Sequence, residues 1–518
     1  MKKLKLFVII MSCLFLVEYL NYNKLENSLN HTVMDTKVLS PEEIELRLET
    51  KEKTFIWPEI TINGGRVPYD LDLNMLLIPQ SMAESEMTGT LSVPDGELFF
   101  AADEALEDKQ SALSENKRFS LYWVRDNICF EYNVYFTGMP VMWMITESVD
   151  ELEVSHGTVE IYDPYHSNLQ VQKSACNWHR RGATTLQYEK SSYRLTLTEQ
   201  KLSLLGMRKD DDWMMHALYD DDGLIHNKLS YEVWQKIAST NNVPNDEGIS
   251  MEYVEVFKDG YYQGVYGISE RIDEKELGLN EKDILYKCKW DREPTEDDFY
   301  SELTEEMTPS FEWKYPDNFQ MENWEPLRKW TDFYCMGELN DYESGKDLLN
   351  MQNAIDYNIF NLLICGMDNT MKNIYFWADY QGDGTYCFIK IPWDLNMTWG
   401  NSWIDDITYK FNKYQEKTLN NQWGWTNDMD TLYQANPGEI GELLKVRWQE
   451  LRRDVLTKEV LYSLADAEFS YLHGSGAYAR NYQKWPAETD YWLDNYIYEY
   501  IDKKIDYLDE YFGQMGEP

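Results

Sequence analysis

Residues 353–365, NAIDYNIFNLLIC, become almost wholly apolar toward their end, and Gly366 comes next. Apolar residues on every side of a run this long predict a buried helix, with the glycine as its stop. The residues beyond the glycine restrict the fold further. A loop, 367–373, leads into IYFWADY, the turn QGDG and TYCFIKIPW, the pattern of a β-hairpin. Three polar residues punctuate the unit. Asp368 and Asn373 lie in the loop, and Asp394 stands where the hairpin ends.

Taken singly, Asp368 and Asn373 read as turn formers and Asp394 as a cap. Taken in order, they match the needs of phosphoryl transfer. One carboxylate orients or deprotonates an attacking hydroxyl, while an amide oxygen and a second carboxylate hold Mg²⁺ against phosphates. Protein kinases use the same Asp-x-x-x-x-Asn spacing, then a hairpin, then a metal-binding Asp. The upstream text agrees. Residues 153–163 and 186–197 read as strands, and 224–238 as a helix with Ile225, Leu229, Val233 and Ile237 on one face. MEYVEVFKDG and YYQGVYGISE read as two further strands. Strand, strand, helix, strand, strand is the order of a kinase N-lobe. On strand 186–197, Lys190 and Arg194 share the face opposite Tyr193, Leu195 and Leu197. The stretch 273–350 is dense in Asp and Glu and reads as solvated surface or an insertion, and 430–514 as helical.

The rest of the chain divides simply. Lys2, Lys3 and Lys5 precede the apolar run 6–17, which predicts an export signal or signal anchor over 1–20. Residues 21–50 form a polar spacer. From 51 to 152, short apolar stretches alternate with turns, which predicts a small β-sandwich of immunoglobulin-like size. A second domain spans 153–515. With 91 acidic against 48 basic residues the net charge is −43, which excludes nucleic acid as a partner. It also means that any nucleotide site needs local cations or metal. None of the seven cysteines forms a CxxC pair, so a zinc ribbon is not expected and most read as small buried residues. Lys390 stands where a calcium loop opening at Asp379 would need Glu, and there is no HExxH.

Four blocks resemble the spore coat protein H (CotH) kinase family: HRRGATTLQYEKSSYRLTL (179–197), DDWMMHALYDDDGLIHNKLSYEV (211–233), GVYGISERIDEKEL (264–277) and IPWDLNMTWG (391–400). The resemblance covers roughly 153–515. It implies an α+β, two-lobed, atypical protein-kinase-like domain that uses ATP and Mg²⁺ (or Mn²⁺) to phosphorylate Ser or Thr of a coat or surface protein. Asp368 would be the catalytic carboxylate. Asn373, Asp394 and Asn396 would hold metal. Lys190 would reach the ATP phosphates, with Arg181 and Lys228 as further cations, Glu232 as the lysine's helix partner, and Glu270 to Ile272 at the hinge beside adenine. The chain departs from the family where a second Asp is replaced by Asn396, a paired lysine by Lys190-Ser191, and Asn-Ser by Ala183-Thr184. These departures leave open a catalytically weak kinase fold used as a scaffold or adhesin, and a transferase moving AMP is a further rival.

Overall fold

The computed structural model describes residues 36–515, apart from 50, 54–56, 85, 86, 88, 104, 105, 107, 167–170, 183, 290–309, 319, 336–341, 371, 402–427 and 487–493. The expected signal segment and most of the spacer therefore lie outside the described residues. The chain is α+β, built from a mixed sheet, a closed barrel, a smaller antiparallel sheet and a helical layer.

The first sheet centres on strands Phe119–Arg125 and Ile128–Thr137. Leu121, Trp123, Phe130, Tyr132, Val134 and Phe136 alternate into its own core. It contains parallel pairs, Met75–Pro79 with Ile128–Thr137 among them, so it lacks the purely antiparallel sheets of an immunoglobulin-like sandwich. Residues 141–149, assigned from sequence to this unit, hydrogen-bond elsewhere: they are the first strand of the barrel.

That barrel consists of β1 (Val141–Val149), β2 (Ser155–Tyr162), β3 (Val171–Arg181), β4 (Ser192–Leu197), β5 (Asp212–His216), β6 (Met251–Lys258) and β7 (Tyr261–Ser269). They run in the order β1-β2-β3-β4-β5-β7-β6, closed by parallel pairing of β1 with β6. Alternation explains how β1 serves two cores. Met142 and Met144 enter the barrel interior, while Val141 and Trp143 pack outward with Met75 and Leu77 of the first sheet. The seam also carries ions. Arg480 donates to both Glu255 oxygens at 2.8 and 2.7 Å and to Asn116 Oδ1 at 2.7 Å, so one buried guanidinium joins β6 to the first sheet. The expected four strands around a helix are thus part of a seven-stranded closure, with β1, β3 and β5 added.

Helix α1 (His226–Ala238) lies against β6 and packs on α2 (Met351–Ile364), around which most of the largest core forms. The predicted hairpin is β9 (Lys372–Gly382) and β10 (Thr385–Pro392). An extra strand, β8 (Ile284–Lys289), pairs with β9. It lies within 273–350, which also contains Phe311–Tyr315 and, among the described residues, three α-helices. Among the described residues, a helix Asp428–Ala435 and helices α3 (Pro437–Asp454), α4 (Lys458–Gly474), α5 (Ala477–Lys484) and α6 (Asp494–Gly513) follow. Four of the six described cysteines are buried. No described helix is long and apolar enough to cross a membrane.

Candidate active site

Helix α2 ends at Cys365, whose left-handed backbone (φ 52°) caps the helix one residue before the expected glycine stop. The chain then turns through Met367–Asn369 into β9. Asn373 (φ 54°) and Asp394 (φ 57°) are also left-handed. Asn and Asp tolerate that region better than other side-chain-bearing residues, so their residue types suit both backbone and chemistry.

The loop and the hairpin exit form one unit. Asn373 Nδ2 donates to Asp368 Oδ2 at 2.8 Å, and Lys372 Nζ lies 3.5 Å from Asp368 Oδ1. The Trp393 amide donates to the Asn373 carbonyl at 3.0 Å. Asn369, fully buried, donates to the Trp393 carbonyl at 2.8 Å. Helix α1 holds the other side of the exit: the Asp394 amide donates to the Tyr231 hydroxyl at 3.1 Å and the Leu395 amide to Asn227 Oδ1 at 2.7 Å. Asp394 is therefore fixed by its backbone, and its carboxylate is not consumed in holding it there.

A third carboxylate completes the group. Asn396 Nδ2 donates to Asp220 Oδ2 at 2.9 Å, and Asn401 Nδ2 donates to the carbonyls of Asp220 and Asn396, each at 2.9 Å. Burial pushes the Asp220 carboxyl up to about 6, and the Asp394 charge adds to the effect. Burial likewise raises Asp368, opposed by Lys372 and reinforced by Asp394. Both neighbours thus feel the Asp394 charge. Among the described residues no three His, Cys, Asp or Glu side chains close around one point. The donors are nonetheless all hard oxygens. With Nδ2 of Asn373 and Asn396 spent on Asp368 and Asp220, each amide retains Oδ1 for a cation. This set suits Mg²⁺, which takes one or two carboxylates and completes its shell with phosphate oxygens and water.

Not all of the expected cations are here. Arg181, at the end of β3, lies over the Trp393 ring at 5.4 Å. Lys190 does not join it. It precedes β4 in an irregular turn, fully buried, donating to the Val265 carbonyl at 2.5 Å and to Asn481 Oδ1 at 3.1 Å. Lys228 and Glu232 pair with each other at 2.7 Å on a different face of α1 from Asn227 and Tyr231. Lys228 also faces Glu252 and Glu468, each at 3.6 Å, so Glu232 partners Lys228 and not Lys190. Glu270 accepts the Arg208 and Ser250 amides at 3.3 and 3.0 Å, which makes it a brace for the segment leaving β7, and Ile272 is core.

The CotH kinase protein family matches residues 179–515, well over half of the chain. The chain belongs to the CotH kinase family. No curated protein matches it. The family match contains every residue of the Asp368–Asn373–Asp394–Asn396 group and Asp220. Sequence reasoning missed Asp220, Asn369 and Lys287, whose ammonium lies 6.0 Å from the Trp393 ring. Asp220 opens an Asp-Asp-Asp run after β5. Lys287 stands in ILYKCK, where cations alternate with Tyr286 and Cys288 at strand period.

Proposed function

We propose that the chain is an atypical protein kinase that transfers the γ-phosphoryl group of ATP to Ser or Thr hydroxyls of a protein, in a two-lobed arrangement with the barrel above the loop and hairpin. The observation that carries this is the Asp368–Asn373 loop bonded to the strand end bearing Asp394. Membership of a kinase family gives it the reaction class, with ATP use and a protein substrate as the corresponding partners. Asp368 orients the acceptor hydroxyl and takes its proton as the oxygen–phosphorus bond forms. The bond from γ-phosphorus to the bridging oxygen breaks, and ADP leaves. A carboxyl raised by burial is suited to accept that proton. Asn373, Asp394 and Asn396 would hold Mg²⁺ or Mn²⁺, with Asp220 beside them; when bound, the cation neutralises charge on the phosphate oxygens. Tyr231 holds the Asp394 amide and Asn227 the Leu395 amide beside it, without competing for the Asp394 oxygens.

An exported chain, secreted or tethered through residues 1–20, acting on a coat or cell-surface protein fits the basic, apolar N-terminus. A second reading, a nucleotide-binding scaffold with weak turnover, is favoured by Asn396, an amide in place of a carboxylate that is already bonded to Asp220.

The test is mass spectrometry of the full chain with ATP, Mg²⁺ or Mn²⁺ and a generic acceptor protein. Phosphate adducts on Ser or Thr, absent from Asp368→Asn and Asp394→Asn, are expected. Adducts of AMP mass would replace the reaction assigned. Nucleotide binding with no adduct under either metal would select the scaffold.

A further inference from the structure

Among its described residues the acidic protein contains two neighbouring cations with no carboxylate at ion-pair distance. Arg181 and Lys287 come from different sheets, the end of barrel strand β3 and the middle of β8, and meet at one indole. The Arg181 guanidinium lies 5.4 Å from the Trp393 ring centroid, and the Lys287 ammonium lies 6.0 Å from the Trp393 and Tyr375 rings. Trp393 is 1% exposed, and its Nε1 has no hydrogen-bond partner among the described residues. Neither cation has a carboxylate within ion-pair distance among those residues. Their neighbours differ: Arg194 and Arg271 both pair with Asp212, at 2.5 and 2.9 Å, and Lys314 pairs with Glu312 at 2.5 Å.

Such an arrangement opposes stability unless something binds it. A cation over an aromatic face gains a modest electrostatic attraction, but two half-buried like charges beside one ring repel each other in a medium poorer than water. The repulsion is visible in Lys287, whose ammonium is held below the usual lysine range first by burial and then by Arg181, with Asp394 opposing. In a chain of 91 acidic residues, two adjacent unpaired cations form an anion site. Its place, flanking the residue that precedes Asp394, defines which anion.

We propose that Lys287 and Arg181 clamp the phosphate chain of the nucleotide against the Trp393 side of the site, taking the role that sequence resemblance gave to Lys190. This rests on the phosphoryl-transfer reading above and adds its phosphate-binding residues. An anion there reaches both cations and lies beside the carboxylate that holds the metal. Lys190 cannot do this while its ammonium is bound to Val265 and Asn481.

The test is calorimetric titration of the full chain with ATP, AMP and inorganic tripolyphosphate in Mg²⁺, using wild type, Lys287→Met, Lys287→Arg and Arg181→Met. Loss of a charge-assisted contact predicts that ATP and tripolyphosphate weaken roughly 10- to 100-fold in each Met variant. AMP should change less than about threefold, and Lys287→Arg should keep most of the affinity. Unchanged thermal melting in the Met variants would show that the fold is intact. ATP binding equal to wild type in both Met variants overturns the clamp and leaves the kinase reading standing. Equal weakening of AMP also overturns it, because the residues would then serve the nucleoside or the fold. If wild type binds tripolyphosphate but not ATP, and the Met variants lose it, the clamp stands and the kinase reading falls. If wild type binds neither, both fall.

Discussion

Asn369 Nδ2 donates to the Trp393 carbonyl at 2.8 Å, and this bond ties the loop carrying Asp368 to the strand end carrying Asp394. The same amide reaches the Asn373 carbonyl at 3.3 Å. Asn369 touches no reacting atom, so it is a positioning residue. Replacing it by Ala leaves the buried Trp393 carbonyl without this donor, at about 1–3 kcal/mol. Asn369→Ala should melt earlier and lose turnover while nucleotide affinity changes little, as single-turnover kinetics beside nucleotide titration will show. Asn369→Asp should be worse on both counts, because a carboxylate cannot donate. Equal loss of turnover and nucleotide affinity would assign it a general structural role instead.

Asp368 must be ionised to take a proton, and burial raises its carboxyl above the ordinary range. Activity should therefore fall as pH drops through that raised value and level off above it. Lys372 stabilises the ionised form, so Lys372→Met should move the acid limb of the pH–rate profile to higher pH with little effect on the plateau. A limb that does not move would mean that another group controls it.

Asp394 acts on both neighbouring carboxyls. Asp394→Asn should reduce transfer by about 10²-fold or more. It should also lower Asp220 from about 6, though not to the ordinary range, since burial is the larger cause. Carboxyl carbon NMR across pH 3–8 tracks this directly, in a range set by ordinary carboxylates near about 4. An unmoved Asp220 would separate it from the metal group.

How much of this was legible in the sequence depends on the kind of signal. The buried helix and the hairpin were, because uninterrupted apolar residues and period-two alternation survive any tertiary context. Asp368, Asn373 and Asp394 stood out as the polar residues at their ends. Strand β3 was not, because VQKSACNWHRR carries Lys173, His179 and Arg181 on the face opposite Cys176 and Trp178, beside the exposed Arg180 near its end. Lys190 failed for a local reason. The irregular turn before Ser192 breaks the alternation that had placed Lys190 on one face with Arg194. Lys287 was hidden by context, a short alternating strand inside a stretch dense in carboxylates. Asp220 needed knowledge of burial, which an Asp-Asp-Asp run does not announce.

Arg480 predicts that the first sheet is a fixed part of the molecule and not a loose spacer. It is 1% exposed and Glu255 fully buried, so Arg480→Met strands a buried carboxylate. The cost should be about 3–5 kcal/mol in urea unfolding. Arg480→Met with Glu255→Gln should recover part of it, because the stranded charge is gone. The bonds from Arg480 to Asn116 and to the Phe136 carbonyl are lost as well, so protease cleavage near the first sheet should rise in both variants. Cleavage unchanged from wild type would show that the seam holds without this residue.

Lys228 faces three carboxylates, Glu232 from its own helix, Glu252 from β6 and the buried Glu468 from α4, and one cation cannot balance three anions. Burial pushes Glu468 up to about 8, with Glu232 and Glu252 adding to the rise and Lys228 opposing it. A carboxyl whose proton is held more tightly in the folded state stabilises that state fully below its unfolded value, near about 4.3. The contribution fades as pH rises through the folded value. Stability of wild type minus Glu468→Gln, measured by urea unfolding at several pH values from 5 to 9, should therefore decline with pH. Each tenfold difference in proton affinity is worth about 1.4 kcal/mol, so the decline should reach at least roughly that figure by pH 8. The amide imitates the protonated acid, so the variant should gain on wild type in the alkaline range. A difference that is flat with pH would mean that Lys228 keeps Glu468 ionised throughout, and the cluster would then be an ordinary buried ion network.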